Sequence, residues 1–164
     1  MRKYLLVVMV MVVSSAIANP QQWKVTVTKV IDGNTLEIMT EGKDTFNVVL
    51  KDIDCPEIGQ QFGEEAKKLT EKFLLKKNII ILVSGKDRWG NRLVEVTLSS
   101  GKDINEELLK NGYAWHNTKL SSSAKLKSLE TVAKNQKKGL WGNDNPTPPW
   151  IFRRQQTMMV AKSR

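Results

Sequence analysis

Trp23-Lys24-Val25-Thr26-Val27-Thr28-Lys29-Val30 runs directly into Ile31-Asp32-Gly33-Asn34-Thr35, and this junction decides the fold. Trp23, Val25 and Val27 fall on one face of an extended chain, and Lys24, Thr26 and Thr28 on the other, as in a half-buried strand. Asp32-Gly33-Asn34 is turn chemistry, and Thr35 to Met39 resumes with β-formers. The stretch predicts a β-hairpin.

Working outward, a third strand is expected from about Thr45 to Ile53, stopped by Pro56, which has no amide to donate. Glu64 to Lys77 switches to helical spacing, with Ala66, Leu69, Phe73 and Leu74 on one side. Asn78 to Ser84 reads as a continuous apolar strand and Arg92 to Leu98 as another. Asp103 is a good N-cap for a helix carrying Ile104, Leu108 and Leu109, with Gly112 as its stop. Ser121 to Ser123 can cap a last helix reaching about Lys137, with Leu126, Leu129 and Val132 inward. Pro146-Thr147-Pro148-Pro149-Trp150 reads as irregular, and the chain ends with Arg153, Arg154, Lys162 and Arg164. Trp115, Trp141 and Trp150 read as core. The expected class is α+β: a five-stranded OB-type β-barrel with three helices.

Residues 1–18 read as an address. Arg2 and Lys3 precede the apolar run Leu5 to Val13, and Ala16-Ile17-Ala18 is a small-x-small cleavage site. The run is too short to span a bilayer, so the expectation is a cleaved signal peptide and a periplasmic or secreted protein with no membrane span afterwards. A single domain over 19–154 and a basic tail over 155–164 complete the layout, and a monomer is expected. The formal charge of +9 falls to +7 without Arg2 and Lys3, which favours polyanionic partners. Cys55 is the single cysteine, so no internal disulfide can form. His116, the single histidine, reads as a packing or surface residue rather than a ligand.

Three short segments carry candidate chemistry: Ile31-Asp32-Gly33-Asn34-Thr35, Asp52-Ile53-Asp54-Cys55-Pro56-Glu57 and Asp87-Arg88-Trp89-Gly90-Asn91-Arg92. With Gly59 to Ala66, Asn105 to Gly112, Ala114-Trp115-His116, Gly139-Leu140-Trp141 and Pro148-Pro149-Trp150, the chain resembles the staphylococcal nuclease (thermonuclease) family, especially exported bacterial members. The resemblance runs from about Trp23 to Arg154. It implies an OB barrel that hydrolyses DNA and RNA phosphodiesters with one calcium ion held by two aspartates and a backbone carbonyl. A glutamate handles the attacking water, and two arginines hold the phosphate.

Carried over residue by residue, the resemblance makes Asp54 a metal ligand, Cys55 the carbonyl donor and Glu57 the general base. The other metal aspartate is replaced by Asn34. The two arginine positions are occupied by Val49 and Asn91. Calcium accepts neutral oxygens, so Asn34 weakens such a site rather than abolishing it. Losing one preorganised donor typically costs ~10²–10³ in rate, and an arginine serving phosphoryl transfer is worth ~10³–10⁵. Such losses are not additive within one site.

Compensation has named candidates. Arg92 neighbours Asn91 but points to the opposite strand face unless Gly90 bulges. Asp52 shares a face with Asp54 by i, i+2 spacing, or is an exposed strand-end carboxylate. Val49 reads as core packing. Arg88 and Trp89 suit phosphate contact and base stacking, or form an exposed turn with a half-buried tryptophan. Cys55 has no histidine near it in sequence to activate a thiolate. The expectation is an exported nuclease-fold protein that engages DNA or RNA with hydrolysis impaired or lost. The alternatives are an active calcium-dependent nuclease using Arg88, Arg92 or Lys51, and a non-catalytic module that binds a protein or envelope polymer.

Overall fold

In the computed structural model, residues 21–87 and 89–162 are described; residues 1–20 (which include the segment expected to be a signal peptide), Arg88 and residues 163–164 lie outside them. Among the described residues, seven strands and four α-helices follow in chain order: β1 Gln21–Val30, β2 Thr35–Thr40, β3 Thr45–Leu50, β4 Ile53–Asp54, α1 Gly63–Leu74, β5 Asn78–Lys86, β6 Arg92–Thr97, α2 Ile104–Lys110, β7 Trp115–His116, α3 Ala124–Asn135 and α4 Pro149–Lys162. Five strands close a barrel in the order β1-β2-β3-β6-β5. The β3–β6 pairing is parallel and the others are antiparallel. This is the expected α+β architecture with an OB-type barrel.

The hairpin is present, and its alternation carries one irregularity. Val25 and Val27 point inward, but the next buried residue is Val30, a change of phase. A register shift between Val27 and Lys29 supplies the extra residue, which turns Thr28 and Lys29 both outward. In β5 the apolar run is not uniformly buried: Ile79 and Ile81 face the core while Ile80 is 42% exposed. Leu36, Ile38, Val48, Leu50, Val94 and Val96 complete the barrel interior.

The third strand is shorter than expected. β3 ends at Leu50, and Asp52 has φ 70°, so the chain turns out of the barrel there. β4 then pairs with β7 as a separate two-stranded sheet, Asp54 opposite Trp115. The left-handed residue breaks the alternation that would have put Asp52 and Asp54 on one face.

Helix α1 packs Ala66, Thr70 and Leu74 inward, with Leu69 and Phe73 against the core. The expected cap holds on α2, where the Asp103 side chain accepts the Asn105 amide. Gly112 follows at φ 69°, and a Cβ there would lie 2.2 Å from the Lys138 carbonyl oxygen. On α3 the Ser123 cap is present, but Val132 is 46% exposed. Ala133, not Val132, continues the i, i+3, i+7 stripe of Leu126 and Leu129.

The segment expected to be irregular instead begins a fourth helix, so there is one helix more than the three expected. Pro149 occupies the first position of α4, where its missing amide costs nothing. The boundary placed at Arg154 falls inside this helix, which continues to Lys162. Trp115 is buried and meets Trp141 and Trp150 edge-on at 5.3 and 6.3 Å. Trp150 caps that group from outside at 45% exposure rather than lying in the core. No helix among the described residues is long and apolar enough to cross a membrane.

Candidate active site

The β1–β2 turn is built by its own side chains. Asp32 Oδ1 accepts the amides of Asn34 and Thr35 at 2.9 and 2.8 Å. The turn is then fastened to three other elements. Thr70 of α1 donates its hydroxyl to the Gly33 carbonyl at 2.7 Å, and the Leu50 amide of β3 donates to the Asn34 carbonyl at 2.8 Å. The third tie comes from the Asn34 side chain, whose Oδ1 accepts the buried Cys55 amide at 2.9 Å. Gly33 is required by this close approach: a Cβ would sit 2.6 Å from Cys55 Cβ and 2.8 Å from Ala66 Cβ.

Glu57 is placed by the loop before α1. Its amide donates to Gln60 Oε1 at 2.8 Å, and its carbonyl would be 2.2 Å from a Cβ on Gly63. On the opposite side, Asp87 organises the β5–β6 turn: Oδ1 accepts the amides of Trp89 and Asn91, and Oδ2 accepts the Asn91 side chain at 2.9 Å.

These segments surround a cleft of about 330 Å³ lined by Asp32, Asn34, Val49, Asp54, Glu57, Asp87, Trp89 and Asn91, among others. Six of the residues picked out from sequence therefore meet: Asn34, Val49, Asp54, Glu57, Trp89 and Asn91. Val49 is half-buried on the cleft wall and stands outside the core cluster, which corrects its reading as core packing. Trp89 is 63% exposed at the rim, so the half-buried reading of that turn does not hold.

Other candidates lie elsewhere. Arg92 stacks on Phe46 and Trp23, 4.3 and 5.3 Å from the ring centroids, as expected for the opposite strand face. Lys51 pairs with Glu95 at 2.9 Å. Asp52 does not line the cleft; its Oδ1 is buried without a hydrogen bond among the described residues, and burial raises its pKa. Cys55 is fully enclosed behind the turn, and burial pushes its thiol well above the usual range, which argues against a nucleophile. His116 is buried, with no hydrogen bond to either ring nitrogen among the described residues. A further recess of about 360 Å³ between Gly59–Gln61 and Asn143–Thr147 has no charged lining residue.

The residue that the sequence reasoning passed over is Arg153, one turn into α4. Its guanidinium enters the cleft and bridges both retained acids. Nη2 lies 2.7 Å from Asp54 Oδ2, while Nη1 lies 3.0 Å from Asp54 Oδ1 and 2.5 Å from Glu57 Oε1. Burial pushes the Asp54 and Glu57 carboxyls up, and the guanidinium pulls both back down. The same pairing raises the Arg153 pKa, which keeps it charged.

The donor set can be tested against a calcium ion. Calcium needs several oxygens free to converge on one point. Here both Asp54 oxygens face a guanidinium, and Asn34 Oδ1 is occupied by the Cys55 amide. In this arrangement the residues do not fit calcium.

The family described as Staphylococcal nuclease homologue matches residues 47–143. The chain belongs to that family. Among its relatives, a Haemophilus influenzae protein named "Uncharacterized endonuclease" is 34% identical over 135 residues, covering 82% of this chain and 75% of its own length. An Escherichia coli O157:H7 protein of the same name is 30% identical over 130 residues, covering 79% and 84%. The Arabidopsis thaliana "Staphylococcal-like nuclease CAN1" is 35% identical over 111 residues, which are 68% of this chain and 34% of the plant protein. The matched span holds Val49, Asp54, Glu57 and Asn91 but neither Asn34 nor Arg153.

Proposed function

We propose that this chain is an exported, monomeric nuclease-fold protein that engages nucleic acid through its basic barrel surface, with phosphodiester hydrolysis impaired or lost. The observation that carries this reading is the state of the cleft. Val49 and Asn91 put no charge where phosphate would be gripped, and the one guanidinium among the described lining residues closes on Asp54 and Glu57.

Among the described lining residues, Asp32, Asp54, Glu57 and Asp87 set four carboxylates against Arg153 alone. Such a balance opposes entry of a phosphodiester, whose developing charge needs fixed donors. Glu57, the candidate base, is itself held by the Arg153 guanidinium, so its carboxylate is not free to orient an attacking water. Nucleic acid as ligand is supported by family membership, by the endonuclease names of the relatives and by the positive charge. Export rests on the pattern of residues 1–18. An active enzyme with relocated cations is disfavoured for two of its candidates, since Arg92 is stacked on Trp23 and Phe46 and Lys51 is paired with Glu95.

The test compares the chain from residue 19 onward with its Asn34→Asp, Val49→Arg, Asn91→Arg, Arg153→Ala variant, which also frees Asp54 and Glu57, on single-stranded DNA, with calcium and with chelator. Circular dichroism confirms folding of both. Cutting by the variant alone supports the reading. Robust calcium-dependent cutting by the unmodified protein overturns it, and failure of both proteins to bind DNA at low salt transfers the function to a protein or polymer partner.

A further inference from the structure

We propose that Arg153 is a tethered replacement for a divalent cation: α4 delivers a guanidinium onto the two carboxylates and thereby masks a cation site that its removal uncovers. The proposal deepens the reading of the same cleft, but it concerns what the carboxylates bind rather than whether the chain cuts DNA.

The argument begins with the acids. Asp54 and Glu57 carry side chains only 12% and 28% exposed, and two partly desolvated carboxylates held together require a compensating cation. A guanidinium is suited to this because its fixed fork serves two oxygens at once. Here the fork meets both oxygens of Asp54, and Nη1 is shared with Glu57. Three carboxylate oxygens are therefore directed at one positive group. With the guanidinium gone, the same three oxygens face one vacated volume, a donor set that a hard cation prefers.

The tether comes from the segment that carries the arginine. Pro149 is buried, Trp150 meets Trp115 edge-on, and the Ile151 and Phe152 amides both donate to the Pro148 carbonyl. Arg153 follows directly on this anchored turn, so its local concentration at the acids is that of an intramolecular ligand. A free ion must compete with a cation that cannot diffuse away. If the arm is out for about 1–10% of the time, the apparent affinity for an ion falls about 10- to 100-fold.

Two variants and one control test this. Terbium(III), a luminescent stand-in for calcium, is titrated into wild type, Arg153→Ala, Arg153→Gln and the Arg153→Ala/Asp54→Asn double variant. Tryptophan-sensitised emission is read, and thermal midpoints are taken with calcium and with chelator. The two single variants are expected to bind terbium about 10- to 100-fold more tightly than wild type. Their midpoints should rise with calcium while that of wild type stays fixed, and the double variant should lose the gain. Arg153→Gln keeps a long helix-compatible side chain in case the alanine variant folds poorly. Wild type binding terbium as tightly as the folded variants, or folded variants that gain nothing, overturns the proposal. Cutting of DNA by wild type would defeat the functional reading without touching this result.

Discussion

Arg153 and Asp54 are separated by 99 positions in the chain, yet they meet as a two-pronged pair with Nη–Oδ distances of 2.7 and 3.0 Å. The contact converts a carboxylate in an enclosed position into half of an ion pair. It also ties the last helix to the β4 strand that leaves the barrel.

That pair sets a pH dependence whose sign follows from linkage. Asp54 and Glu57 are raised in the folded chain by burial, with Arg153 opposing the rise. A carboxyl raised on folding gives stability that is complete below its unfolded value, about 3.9 for Asp and 4.3 for Glu, and that is lost as pH climbs through the folded value. Arg153→Ala removes the opposing pull, so both carboxyls should move further up. Urea unfolding at pH 3 and pH 7 should show nearly matched stabilities at the lower pH. At pH 7 the variant should be weaker by about 1–3 kcal/mol, less than the ~3–5 of a fully buried pair because Arg153 is 38% exposed and screened by water. Parallel pH profiles would show that the guanidinium does not neutralise these acids.

The same pair marks where legibility in the sequence ends. The hairpin, the barrel strands and the Asp103 and Ser123 caps follow local rules of alternation and turn chemistry, and these rules act over a few residues. The cleft members Asn34, Asp54, Glu57 and Asn91 were recognisable because each sits in a short motif. Arg153 has no motif; it belongs to the site only because α4 folds back across the chain. Pro146-Thr147-Pro148-Pro149-Trp150 reads as irregular, although a proline at the first helical position starts a helix as readily as one further in stops it. The available signal was the stretch from Trp150 to Lys162, which contains neither proline nor glycine. Asp52 escapes for a different reason: it adopts φ 70°, and strand alternation does not continue through a left-handed residue.

Gly33→Ala tests the fastening of the hairpin. The added methyl would meet Cys55 Cβ at 2.6 Å and Ala66 Cβ at 2.8 Å, both fixed directly to backbone. Neither neighbour can rotate away, so the turn itself must shift. Overpacking of this kind costs about 1–3 kcal/mol. The urea midpoint should fall by that equivalent without a change in slope, and an unchanged midpoint would mean that the turn yields freely.

Arg92→Ala separates stacking from phosphate contact. Arg92 covers the Phe46 and Trp23 rings at 4.3 and 5.3 Å, on the face away from the cleft. Its loss should lower stability by about 1 kcal/mol through the two cation–π contacts. Terbium affinity in an Arg153→Ala background should not move, because Arg92 does not line the cleft. A change in that affinity would place Arg92 back at the site.

Val49→Arg and Val48→Arg make the sharpest contrast, because the two positions are adjacent and face opposite ways. Val48 is 0% exposed inside the barrel, between strands that leave a guanidinium neither water nor a partner. An unpaired charge there costs several kcal/mol, so Val48→Arg should fail to fold. Val49 pairs with Thr35 and Leu93 in the sheet, but its side chain forms part of the cleft wall near Asp54 and Glu57. An arginine at 49 can keep its stem on the wall and its head in solvent or on a carboxylate. Val49→Arg should therefore fold and lose less than about 1.5 kcal/mol, measured by circular dichroism and urea unfolding. Equal destabilisation at both positions would return Val49 to the core and leave the cleft without room for a phosphate-binding side chain.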